Sequence, residues 1–114
     1  MIKKIKIGLI QSKSLGTIQS NIDLAIKNIK KAAKKKAKII CLPELFLTNY
    51  FCQTESHSNF KLAEKIPGTT TGIFCNLAKE LGVVLNITMF EKKTSGFYHN
   101  TSIIIGENGN ILSK

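Results

Sequence analysis

The sequence predicts an α/β fold with helices packed on a mixed β-sheet, and three features carry that expectation. Short β-branched apolar runs alternate with two longer stretches whose apolar residues recur every three or four positions. The run 39–42 is apolar throughout and ends at Pro43, as buried parallel strands do. The later strands follow one another without a helix between them, so the order β-α-β-α-β-β-β adds antiparallel pairs to a βαβ start.

Residues 3–11 open with alternating Lys and Ile and close on Ile7, Leu9 and Ile10, which predicts a strand buried at its far end. Ser14, Gly16, Thr17 and Ser20 supply turn and capping groups. Ser20 or Asn21 is the expected N-cap, with Asp23 in the first turn, where the helix dipole favours an anion. The helix should run to about Lys36, with Ile22, Ile26, Ile29 and Ala33 as its apolar stripe. Lys27, Lys30, Lys31, Lys34 and Lys35 take the remaining faces and read as a solvated surface. After strand 39–42, residues 43–58 show no periodicity yet hold Phe46, Tyr50 and Phe51, so this loop is a candidate binding wall.

Ile66, Pro67 and Gly68 make a turn, and Thr69, Thr70 and Thr71 offer hydroxyl caps to a second helix over 71–81 that stops at Gly82. A third strand spans 83–90, the polar stretch 91–97 reads as a connector, and a fourth strand, 98–105, pairs with the third as a hairpin. Asn108 and Gly109 signal a tight turn, and Ile111 and Leu112 begin a fifth strand. The chain stops as that strand starts, without a polar tail. A single incomplete domain over 1–114 is the expectation, with apolar surface that missing strands would cover.

Length and a 43% hydrophobic content fit one globular domain or part of one. The apolar run 7–10 is shorter than the roughly 7–15 residues of a secretory core, so the expected compartment is the cytoplasm, with no membrane partner. Cys41, Cys52 and Cys75 are an odd number without CxxC spacing and read as reduced thiols. A net charge of +10 invites a nucleic-acid partner. All seventeen basic residues are lysine, however, and the arginine fork that grips phosphates and guanine edges is absent, so no nucleic-acid partner is expected. His57 and His99 lack the spacing of a metal site, and neither a metal nor an organic cofactor is expected.

The segment Leu42-Pro43-Glu44-Leu45-Phe46, followed by Tyr50-Phe51-Cys52-Gln53, resembles the glutamate-bearing motif of the nitrilase superfamily, in the form found in N-carbamoylputrescine amidases. Lys6-Ile7-Gly8-Leu9-Ile10-Gln11 resembles the first strand of that superfamily, and Ile66-Pro67-Gly68-Thr69-Thr70-Thr71 its Pro-Gly turn, with Thr69 where a second proline is common. Ala78-Lys79-Glu80-Leu81-Gly82-Val83-Val84, Met89-Phe90-Glu91-Lys92, Tyr98-His99-Asn100-Thr101 and Gly109-Asn110-Ile111-Leu112-Ser113-Lys114 continue the likeness in order. Each motif alone is weak; seven in the right order are not.

The resemblance implies the N-terminal part of an α/β/β/α sandwich and a hydrolase of non-peptide C–N bonds with a Cys, Glu and Lys triad. In such a triad a cysteine attacks the carbonyl carbon, a glutamate takes its proton and later activates water, and a lysine stabilises the oxyanion. The implied reaction converts N-carbamoylputrescine to putrescine, ammonia and carbon dioxide, or hydrolyses another carbamoyl or ω-amide substrate. Only Glu44 maps onto the triad, as general base. The lysine is expected just after Lys114 and the cysteine further on, so the chain alone should be inactive and the full-length protein a homo-oligomer acting on a small-molecule carbamoyl amine. Glu44 follows a buried strand and precedes an aromatic loop, where a partly desolvated carboxylate is expected, although a glutamate there can also cap a loop or pair with a lysine. Tyr50, Phe51 and Cys52 are candidate substrate contacts; Tyr50 and Phe51 serve equally well as loop anchors. Cys41 and Cys75 read as small core residues, and Asn100 as a structural residue at the start of the fourth strand.

Overall fold

The computed structural model describes residues 3–114. Its elements are β1 (Ile7–Leu9), α1 (Ile18–Lys34), β2 (Ile39–Cys41), α2 (Thr69–Leu81), β3 (Val84–Thr94), β4 (Phe97–Ile105) and β5 (Ile111–Ser113). Short 3₁₀ turns at Phe51–Gln53 and His57–Leu62 lie between β2 and α2. The strands form one mixed sheet in the order β1-β2-β3-β4-β5, parallel from β1 to β3 and antiparallel from β3 to β5.

Register aligns Gly8, Ile40, Leu85 and Ile105 in one row across the sheet. Because strand side chains alternate, this row shares a face with Ile87, Met89 and Ile103, and both helices pack there. Burying each large aliphatic residue of this face contributes roughly 1.5–3 kcal/mol. From α2, Phe74 is fully buried and meets Phe46 edge-on, with ring centroids 5.3 Å apart. Gly8 marks the closest approach of α1 to the sheet: a Cβ there would lie 3.1 Å from Ala32 Cβ and 3.3 Å from Ala37 Cβ.

Several expectations need correction. The first strand is shorter than 3–11 and is not buried at its far end, since Leu9 is 81% exposed. It is an edge strand paired only with β2, and Ile7 and Leu9 point to the face that no helix covers. Ile39, Cys41, Val84 and Ile104 share that face and are only half-buried, so Cys41 is not a core residue. The cap of α1 is Thr17 rather than Ser20 or Asn21: its hydroxyl accepts from Ser20 N–H at 3.1 Å, and Ser20 Oγ accepts from Thr17 N–H in return. Asp23 therefore lies beyond the first turn, where it accepts from Gln19 at 2.9 Å.

The third strand also runs further than expected. Residues 91–94 read as a polar connector, but β3 continues through them to a two-residue turn at Ser95 and Gly96, the latter at φ 81°. The alternation of sides persists, so Glu91 points inward and is buried. Its charge is tolerated because Thr101 Oγ1 donates to it at 2.8 Å and the Lys114 ammonium pairs with its other oxygen. Burial would raise the Glu91 carboxyl, but the Lys114 and Thr101 hydrogen bonds and the nearby Lys114 and His99 charges outweigh it and hold the carboxyl below its ordinary range. The second helix starts at Thr69, two residues early, with Thr71 Oγ1 taking the Gly68 N–H at 2.7 Å. Gly82 ends it in the left-handed conformation, φ 61°. No helix among the described residues is long and apolar enough to cross a membrane.

Candidate active site

The candidate site is built on the turn that leaves β2. Leu42 N–H still donates to Asn86 O at 3.0 Å, continuing the pairing with β3, and Pro43, which has no N–H, ends it. Glu44 comes next, then Leu45 at φ 49°, an uncommon conformation for a bulky residue that needs fixing from outside. Two groups fix it. Leu45 N–H donates to Thr88 Oγ1 on β3 at 2.8 Å, and the same hydroxyl lies 3.4 Å from Pro43 O. Leu45, Phe46 and Leu47 bury their side chains beneath the turn.

Asn21, weighed above as a cap, is instead a buried hub for this turn. Its Nδ2 donates to Leu47 O at 2.8 Å and to Ser14 Oγ at 3.0 Å, and its Oδ1 accepts from Leu15 N–H at 2.7 Å. One satisfied amide thus ties α1, the β1–α1 loop and the Glu44 turn together, as a buried polar group must to be tolerated.

With its neighbours buried, Glu44 turns outward, and its carboxylate is exposed rather than partly desolvated as expected. Asn100 Nδ2 of β4 donates to Glu44 Oε1 at 2.7 Å. Glu44 lines an open depression of about 360 Å³ with Ser12, Lys13, Ser14, Asn49 and Tyr50. Tyr50 is 52% exposed there, and the Cys52 sulfur, then the Glu44 carboxylate, push its phenol up.

The predicted contacts divide between two places. Tyr50 shares the depression of Glu44, whereas Phe51 and the exposed Cys52 line a neighbouring one of about 470 Å³ with His57, Phe60 and Phe90. Phe51 packs on Phe90 with centroids 4.9 Å apart, and Phe60 packs on Tyr98 at 4.4 Å, which fastens the aromatic loop to β3 and β4. Tyr50 bridges the two, being close to both Cys52 and Glu44. A further depression at the edge of β1 is lined by Lys6, Lys31 and Lys35 but by no acid or thiol. Asn100, read from the sequence as merely structural, is a residue of this site. It lies 56 positions from Glu44, and only the register of β3 with β4, which sets it opposite Phe90, brings it there.

Chemically, the arrangement offers a carboxylate with one oxygen tied by a neutral donor, a phenol beside it and a lysine on the rim. The carboxylate can take a proton from an acid brought to the depression. Among the described residues no cysteine hydrogen-bonds to Glu44.

Comparison with known proteins bears on what that acid is. Residues 6–114 match the family model for carbon-nitrogen hydrolases. The chain is 35% identical over 111 residues to ω-amidase NIT2-B of Xenopus laevis, covering 97% of this chain and 39% of the relative. It is 35% identical over 102 residues to N-carbamoylputrescine amidase of Oryza sativa subsp. japonica, covering 89% and 34% respectively. The crystal structure of a carbon-nitrogen hydrolase from Helicobacter pylori G27 superposes with a TM-score of 0.90 at 32% identity, over 96% of this chain and 38% of that one. Saccharomyces cerevisiae Nit3, of branch 10 of the nitrilase superfamily, gives a TM-score of 0.78 at 28% identity over 96% and 42%. The chain thus spans between a third and two-fifths of the length of these curated relatives.

Proposed function

The chain belongs to the carbon-nitrogen hydrolase family, within a nitrilase-superfamily fold, and from that premise we propose that Glu44 is the general base of a hydrolase acting on non-peptide C–N bonds. The observation that carries this reading is the fixed turn at the end of β2. It spends an unfavourable Leu45 conformation and a buried amide hub on presenting one carboxylate to an open depression. In the proposed reaction Glu44 takes the proton of a cysteine thiol as the sulfur attacks the substrate carbonyl. It returns that proton to the departing nitrogen, then deprotonates the water that attacks the acyl carbon and passes that proton to the sulfur as the C–S bond breaks. Neither the thiol nor the oxyanion lysine maps to residues 1–114, so these residues alone, with one group of three, should release no ammonia.

Two substrate classes follow. The Tyr50-Phe51-Cys52-Gln53 segment supports N-carbamoylputrescine, and four plant relatives carry the name N-carbamoylputrescine amidase. Lys13, the one cation among the described residues that line the Glu44 depression, supports instead an ω-amide with a distal carboxylate, and relatives from Xenopus are named ω-amidases. The test measures ammonia release by the complete protein from N-carbamoylputrescine and from a dicarboxylic acid ω-monoamide. The Lys13→Ala variant should raise KM for the anionic amide alone if the second class is the substrate. Preference for the carbamoyl amine, untouched by Lys13→Ala, selects the first, and turnover of neither removes the hydrolase reading.

A further inference from the structure

We propose that Asn100 is a positioning residue for Glu44, an inference that rests on the reading of Glu44 as the base. An ionised carboxylate only accepts hydrogen bonds, so the 2.7 Å contact must use the Asn100 amide nitrogen as donor, which also fixes which way the amide faces. The bond ties Oε1. Oε2 has no hydrogen-bond partner among the described residues and is the oxygen left to exchange a proton.

The Glu44 backbone is held at Leu45 N–H and Leu47 O, but these bonds do not reach its side chain, which rotates about three bonds beyond them. Asn100 supplies the missing constraint, and β4 is firmly seated where it does so. Asn100 pairs with Phe90 in the hairpin register. The next residue, Thr101, is buried on the opposite face, where it donates to Glu91, which in turn pairs with Lys114. Adjacent residues of β4 therefore hold two carboxylates, one on each face of the sheet. A neutral amide suits the outer one, because a cation in its place would stabilise the charged form and weaken the base.

The test compares wild type, Asn100→Ala, Asn100→Leu and Glu44→Gln in the complete polypeptide that carries residues 1–114, with kcat and KM for ammonia release from the better of the two amides above. Asn100→Leu keeps the branched shape, fills at least the same space and removes the donor without adding charge. If Asn100 positions the base, both Asn100 variants lose kcat by about 10²-fold, the penalty of a misplaced catalytic group, with KM within about twofold and an unchanged melting temperature. Wild-type kcat in Asn100→Leu, even with a slow Asn100→Ala, would assign Asn100 a space-filling role and overturn the proposal while leaving a dead Glu44→Gln as support for the base. Wild-type turnover in Glu44→Gln, or none in the wild type, would overturn the base reading and this proposal with it.

Discussion

Replacing Thr88 with valine removes one hydroxyl while conserving shape, and the structure converts that change into a number. Thr88 Oγ1 is the acceptor for Leu45 N–H at 2.8 Å, and Leu45 is 4% exposed, so the variant leaves a backbone donor without a partner beneath the turn. An unsatisfied buried donor costs ~1–3 kcal/mol, whereas the 3.4 Å approach to Pro43 O is too long to add much. The Leu45 φ of 49° carries its own cost, which this bond helps offset, so we take about 2 kcal/mol as the expected loss. With a urea slope of about 2 kcal/mol per molar, the unfolding midpoint of the complete protein should fall by about 1 M. Thr88→Ser keeps the acceptor and loses only a methyl, so its loss should stay under ~1 kcal/mol. Amide exchange at Leu45 should quicken in Thr88→Val and not in Thr88→Ser. An unmoved midpoint in Thr88→Val, or an equal fall in Thr88→Ser, would refute the idea that this hydroxyl fixes the turn.

Two further predictions concern groups away from that turn. Of Cys52 and Cys75, brief alkylation at neutral pH should label Cys52 faster, because it is exposed, whereas burial pushes the Cys75 thiol up; peptide mapping that finds Cys75 modified before Cys52 would contradict this. The Glu91 carboxyl is held below its ordinary value of 4.5, so its ion pair contributes stability that is fully present above that value and is lost as pH falls through the lowered one. Glu91→Gln should therefore melt below wild type at pH 7, by about 1 kcal/mol given a partner as exposed as Lys114, and the gap should close in acid; a gap that widens in acid would contradict the pairing.

Much of the architecture was legible because periodicity reports burial. In the α1 stripe Ile22 and Ile29 mark the core directly, and Gly82 and Gly109 mark a helix end and a turn. Several of the misses trace to long-range partners. Residues 91–97 looked like a connector because Lys92, Lys93, Ser95 and Gly96 are polar or turn-forming, and nothing local announces that Thr101 and Lys114 will compensate an inward Glu91. Asn21 looked like a cap because its three hydrogen-bond partners include Leu47, 26 residues away. At the site, the motif around Pro43 marked Glu44, whereas Asn100, on a different strand, becomes visible only once β3 and β4 are paired. The burial expected of Glu44 failed for a geometric reason: Leu42, Leu45, Phe46 and Leu47 occupy the inward positions of the turn and leave the carboxylate the outward one.

The role of Glu44 is tested most directly by ammonia release from N-carbamoylputrescine and from an ω-monoamide, comparing the complete protein with its Glu44→Gln variant. Glutamine keeps the size and the hydrogen-bonding reach toward Asn100 but cannot take a proton. Loss of about 10² to 10⁴ in kcat with an unchanged melting curve is the expected result. Undiminished turnover in Glu44→Gln would contradict the assignment of this residue as the base.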